Sequence, residues 1–172
     1  MTVLRLALTL AAALALSLPV TPARADAAAF LESLQGKWRG SGTVRTPRGR
    51  QVRARCGLTN SWADNLRRLT LSGRCASTQG ARAVRGSLTA SKDGDAISGS
   101  AFGSVAGARV VSTSSRYSRN RITITSRVVD TRVGRTARTR TVITGGRSRF
   151  TANVSVDEGS GFKRAGTLTF RR

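Results

Sequence analysis

From residue 36 onward, apolar and polar positions alternate along the chain with a period of two. Trp38 and Val44 share one face of the first such segment, with Lys37, Arg39 and Arg45 on the other. Val52 and Ala54 stand against Arg53 and Arg55, and Leu69 and Leu71 against Arg68 and Arg74. Val84 and Leu88 oppose Arg85 in the same way. Further on, Ile122 and Ile124 oppose Arg121 and Arg127, Ala137 and Ile143 oppose Arg138 and Arg140, and Phe150, Ala152 and Val154 oppose Arg149. Successive side chains of a strand point to opposite faces, so this pattern predicts strands with one buried face. The segments fall at 37–46, 50–59, 67–75, 82–91, 95–102, 107–114, 120–129, 136–144, 148–156 and 162–171. Two of them are short enough to be fragments, so eight to ten strands are expected. Turn-forming residues separate them: Pro47-Arg48-Gly49, Asp64-Asn65, Asp93-Gly94, Gly145-Gly146 and Asp157-Glu158-Gly159. Connections this short exclude parallel crossovers and predict an antiparallel meander. Glycines sit within several strands, at Gly40, Gly42, Gly73, Gly86, Gly99 and Gly166. Such glycines mark sharp bends, which favour an up-and-down barrel over a flat sandwich.

Two segments depart from the alternation. Residues 26–35 (DAAAFLESLQ) predict a short helix with Asp26 as N-cap and Gly36 at the C′ position. Phe30, Leu31 and Leu34 share one face of it and are placed to cover one end of the barrel. Residues 1–25 have the form of a secretory signal peptide. Arg5 supplies the positive start, Leu6 to Val20 the apolar run, and Ala23-Arg24-Ala25 the cleavage site, so the exported chain would begin near Asp26. The apolar run is too short to span a bilayer comfortably, and no transmembrane segment follows. The expected organisation is a leader followed by one domain, 26–172, in the periplasm or outside the cell.

The two cysteines, Cys56 and Cys75, read as one disulfide in an exported chain. Cys56 shares a face with Val52, Ala54 and Leu58, and Cys75 with Leu69, Leu71 and Gly73. Folding the hairpin between them brings the two cysteines opposite or nearly so.

Charge changes the picture most. The chain carries 30 Lys and Arg against 8 Asp and Glu, a formal net charge of +22. Only Lys37, Lys92 and Lys163 are lysines. The alternation puts these arginines on the outer wall rather than in a tail. Arg127 is expected to face the Arg138/Arg140 pair on the next strand. Like charges directly opposite destabilise a sheet, so such a surface is a candidate for binding polyanions; the alternative is a solvated basic exterior with no dedicated partner. Arg53 and Arg55 belong to the same candidate surface. In Arg116-Tyr117-Ser118-Arg119-Asn120-Arg121 an aromatic interleaves arginines, as in surfaces that stack a base or sugar while guanidiniums take phosphates. The plainer expectation is a hairpin turn whose tyrosine covers the rim. Trp62 is a similar case, either a ligand contact at the barrel mouth or a packed loop aromatic.

Gly36-Lys37-Trp38, following a short helix and opening the first strand, resembles the start of chains in the lipocalin and calycin superfamily. The wider stretch Leu34–Gly42 is similar to the start of lipocalin-like bacterial domains. The resemblance implies a calycin-like barrel in which the tryptophan crosses the closed end and a basic residue of the last strand lies over it. Arg171 or Arg172 would be that partner, through a cation–π contact. Gly36, Trp38 and these arginines would then be structural.

Catalytic chemistry is poorly represented. There is no histidine, which removes the usual base of a nucleophile pair. No further cysteine pair could complete a zinc site. The acids fall mainly in turns. The chain therefore reads as a non-enzymatic binding protein that calls for no cofactor or metal. Its expected partners are envelope polyanions, such as lipopolysaccharide phosphates or acidic polysaccharide, with nucleic acid less expected in that compartment. One alternative is a carrier of a small apolar ligand inside the barrel, since inward positions such as Ala54, Gly73, Gly86, Ala137 and Ala152 are small. Another is a structural or inhibitory partner of an acidic envelope protein.

Overall fold

The computed structural model describes residues 26–46, 49–101, 108–131, 134–157 and 159–172. The leader lies outside the described residues, as do Pro47, Arg48 and Glu158 of the expected turns. The described chain forms one α-helix, α1 (Ala27–Ser33), and ten strands. These are β1 (Gly36–Arg45), β2 (Gln51–Ala63), β3 (Arg68–Ser77), β4 (Gly80–Ala90), β5 (Ile97–Ser100), β6 (Ala108–Ser118), β7 (Arg121–Asp130), β8 (Thr136–Gly146), β9 (Arg149–Asp157) and β10 (Lys163–Arg171). They pair antiparallel in the order β5-β4-β3-β2-β1-β10-β9-β8-β7-β6. The two ends of that order, β5 and β6, lie side by side, so the sheet is a nearly closed barrel. The first and last strands of the chain meet in its wall, with Gly40 opposite Phe170 and Gly42 opposite Leu168.

Inward positions carry the core. Trp38, Phe150 and Phe170 are fully buried together with Leu69, Leu71, Leu88, Ile122, Ile124 and Ile143. The aromatic rings pack in sequence: Phe150 stacks on Phe170 at 4.6 Å, and Trp38 meets Phe150 edge-on at 4.8 Å. Gly40 is inward beside them because a Cβ there would strike the Phe170 ring. Gly42 is similarly required, since its Cβ would strike the Thr167 carbonyl where β1 and β10 run close. The expected bends therefore coincide with glycine at the barrel's tightest strand approaches.

Helix α1 closes one end. Asp26 caps it, accepting from the Ala28 N–H at 2.9 Å, and Phe30, Leu31 and Leu34 are buried against the core. One expectation needs correcting: Gly36 is not the helix C′ residue. The helix already ends at Leu34, and Gly36, at φ +120°, opens β1 instead. A second correction concerns 116–121. Arg116 and Tyr117 belong to β6 and Arg121 to β7, leaving Arg119-Asn120 as the turn. A third is Gly145-Gly146, which extends β8, while Arg147-Ser148 make the turn.

Candidate functional site

Cys56 and Cys75 are direct partners in the β2–β3 register and are joined by a disulfide, with Cα atoms 4.0 Å apart. The bridge forms a rung on the inner wall. It links strands already brought together by Leu58, Leu69 and Leu71.

The closed end gathers three of the four closure residues. The helix leaves carbonyls at its C-terminus that need donors. Trp38 Nε1 and Asn60 Nδ2 both donate to the Leu34 carbonyl at 2.9 Å. Arg172 Nη2 donates to the carbonyls of Ser33 and Gln35. The Arg172 guanidinium lies 5.0 Å from the centre of the Trp38 ring, over which it forms a cation–π contact. Gly36 sits beneath that guanidinium, the space of its missing Cβ being 3.6 Å from Arg172 Nε. Of the two expected candidates, Arg172 is thus the capping arginine. Arg171 is not brought to this end; its side of β10 is the outer wall. Asn60, buried and two strand positions inside Trp62, was not singled out from sequence. Its i, i+2 spacing from Leu58 on the inward face was the available signal.

Tyr117 and Trp62 also belong to the closed end. The Tyr117 ring lies 5.6 Å from that of Phe30, and its hydroxyl donates to the Asp26 carbonyl at 3.4 Å. Burial, with a smaller effect from the Asp26 carboxylate, pushes its phenol pKa above the usual value. It faces inward while Arg116, Arg119 and Arg121 are exposed, so the structure separates the tyrosine from the arginines that flank it. Trp62 is half-buried just beyond Asn60, at the helix end rather than at the open mouth. Its indole N–H and the Asn60 Oδ1 are both buried without a partner among the described residues.

The outer wall holds the arginines, in two differently constituted regions. On one side Arg127 and Arg138 are direct cross-strand partners, as expected. Arg138 also pairs with Asp157 at 3.8 Å. The ring of Phe162 lies against Arg138 and Arg140, at 5.3 Å and 3.8 Å. The sequence read Asp157 as a turn residue and Phe162 as the start of the last strand, without placing either beside these arginines; the β8–β9 register brings Asp157 to Arg138, and Phe162 lies just before β10. Asp157 also holds its own turn, accepting from the N–H groups of Gly159 and Gly161 at 2.9 Å each.

On the other side the register aligns Arg149, Arg171 and Arg39 as direct neighbours on β9, β10 and β1. The row continues through Gly57 on β2 to Arg74 on β3. One step along the strands lies a row of hydroxyls, Thr151, Thr169 and Ser41, which ends at Arg55. Arg53 stands two residues from Arg55 on the same outward face, and all these arginines are exposed. Strands β10, β1, β2 and β3 contain no acidic residue. Among the described residues Arg39, Arg55, Arg149 and Arg171 have no ion-pair partner. The sequence placed Arg39, Arg74 and Arg149 outside without marking them as a site; only the register makes them a row.

No protein-family model matches the chain, and no curated protein matches it in sequence. A solved structure does match: the S-type phycobiliprotein lyase CPES from Guillardia theta. The match covers 87% of this chain and 94% of that one, with a TM-score of 0.59 and 9% sequence identity. The match extends over the whole of the nearly closed ten-stranded antiparallel barrel, an architecture that agrees with the calycin-like barrel expected. At that identity the likeness concerns architecture alone.

Proposed function

We propose that the chain is an exported, non-enzymatic binding protein that engages envelope polyanions through arginines on the barrel's outer wall. The observation that carries this reading is the alignment of Arg149, Arg171 and Arg39 on three adjacent strands with no acid among them. Like charges directly opposite destabilise a sheet. A polyanion removes that repulsion and gains fork-shaped guanidinium contacts. Export is supported by the form of residues 1–25 and by the Cys56–Cys75 disulfide, which suits an oxidising compartment. The test is binding of the purified protein to heparin and to lipopolysaccharide over a salt series. Affinity should fall steeply with salt as counterions compete; a flat response rejects the reading.

A second reading, a carrier of a small apolar ligand, has its own support. At the end of the barrel away from α1, the inward valines Val44, Val52, Val84, Val128 and Val154 are only partly buried. They form an apolar lining open to solvent, in a fold shared with a lyase of phycobiliproteins. Native mass spectrometry of freshly purified protein separates the two, a co-purified small molecule favouring the carrier.

A further inference from the structure

The wall carries a hollow as well as charge. An open depression of about 360 Å³ lies on the outside of β1 and β2, lined by Arg39, Ser41, Arg55 and Gly57, with Gly40 and Cys56 behind. It falls between the arginine row and the hydroxyl row. Gly57 is what leaves it empty: a Cβ there would meet no atom within 4 Å. Gly57 faces outward on β2, and its backbone lies outside the positive-φ region, so neither crowding nor backbone strain calls for glycine.

We propose that this depression and the Arg149–Arg171–Arg39 row form one binding site for a linear acidic polysaccharide, with an acidic group seated over Gly57 between Arg39 and Arg55. The inference rests on the polyanion reading above and gives it a location and a ligand class. Neighbouring strands are about 4.8 Å apart, so the row offers a guanidinium at each step to a chain crossing the strands. A polyuronate carries one carboxylate per sugar with hydroxyls between, which matches guanidiniums beside Thr151, Thr169 and Ser41. The same wall argues against other polyanions. The outward positions of β9, β10, β1, β2 and β3 present no aromatic ring on which a nucleic-acid base could stack. They also lack the large apolar side chains that anchor a protein in a lipid surface.

The experiment compares the protein with Gly57→Val, Arg39→Ala and Arg109→Ala. Arg109 is exposed on β6, away from the row, and controls for the loss of one charge. Gly57→Val alters no charge, fills the hollow and suits a strand. The probes are a polygalacturonate fragment, a single-stranded oligonucleotide and anionic phospholipid vesicles. Gly57→Val and Arg39→Ala should each weaken polygalacturonate binding about tenfold, as expected for losing a charge-assisted hydrogen bond, while Arg109→Ala stays close to the parent. Equal, small losses in all three variants would overturn the site and leave diffuse polyanion binding standing. Tighter binding of oligonucleotide or vesicles than of polygalacturonate would overturn the ligand class. If the parent binds none of the probes, the polyanion reading itself fails and takes the site with it.

Discussion

Arg171 and Arg172 are adjacent in the chain and serve opposite regions of the barrel. Arg172 points to the closed end, covers Trp38 and donates to two carbonyls at the end of α1. Arg171 points to the outer wall, between Arg39 and Arg149, with no acid beside it. The pleat of one strand thus assigns one arginine to stability and the next to a surface with unused charge. The same division runs through the molecule. At the closed end, the carbonyls of the helix terminus find donors in Trp38, Asn60 and Arg172, and rings are stacked. Along the Arg149–Arg171–Arg39 row, charge of one sign accumulates with no acid among the aligned residues. A positive side chain is therefore informative here through its face and register, more than through its number.

The comparison breaks first, and most strongly, at Trp38. Trp38→Ala removes a buried ring that contacts Phe150, Arg172 and the Leu34 carbonyl. It should cost about 3–5 kcal/mol, measured as a loss of denaturation midpoint. Its neighbour Arg39, exposed on the wall, should tolerate Ala within about 0.5 kcal/mol. If the two variants unfold alike, the closed end is not the structural anchor. Next comes the disulfide. Its cysteines are 19 residues apart, and closing a loop of that size contributes about 3 kcal/mol. Cys56→Ala with Cys75→Ala should lower the melting temperature, read as a shift of the thermal midpoint.

How far this division was legible in the sequence depends on the range of the interactions involved. Period two assigned Trp38, Ile122 and Phe150 inward and Arg39, Arg127 and Arg138 outward, because alternation is local. It also brought Cys56 opposite Cys75 across a single hairpin. The Gly36-Lys37-Trp38 resemblance located the closed end but left Arg171 and Arg172 undecided. Alternation puts Arg172 on the face of Leu168 and Phe170, and its contacts with Trp38 and the helix carbonyls decide between them. The row Arg149–Arg171–Arg39 joins residues more than 100 positions apart, so no local pattern displays it. Asn60 and Phe162 escaped for the same reason, each meeting its partner across the barrel or from a loop. The Gly36 misassignment was local: glycine after a helix usually ends it, but here the first strand needed the positive φ.

The terminal pair supplies a narrower test. Arg172→Ala gives up two hydrogen bonds and a cation–π contact at an exposed edge, so a loss of about 1 kcal/mol is expected. Arg171→Ala should leave the melting temperature nearly unchanged while weakening polyanion binding. The sharp outcome is a crossover, each variant moving one measurement and sparing the other. Two variants with the same profile would show that the closed end and the wall act as a single surface.

The smallest effect concerns Tyr117, which the sequence grouped with arginines of the wall and the structure packs against Phe30 at the closed end. Burial and the nearby Asp26 raise its folded-state pKa above the ordinary 10.0. A raised folded value means that the folded chain holds this proton more firmly than the unfolded one. The associated stability is therefore fully present below the unfolded value and is lost as pH rises through the folded value. Tyr117→Phe should remove the hydroxyl contact to the Asp26 carbonyl and flatten the alkaline fall in stability relative to the parent. Thermal midpoints measured on both sides of pH 10 provide the check. An unchanged slope would mean that the phenol ionises in solvent, which would return Tyr117 to the exposed arginine cluster and to the polyanion surface.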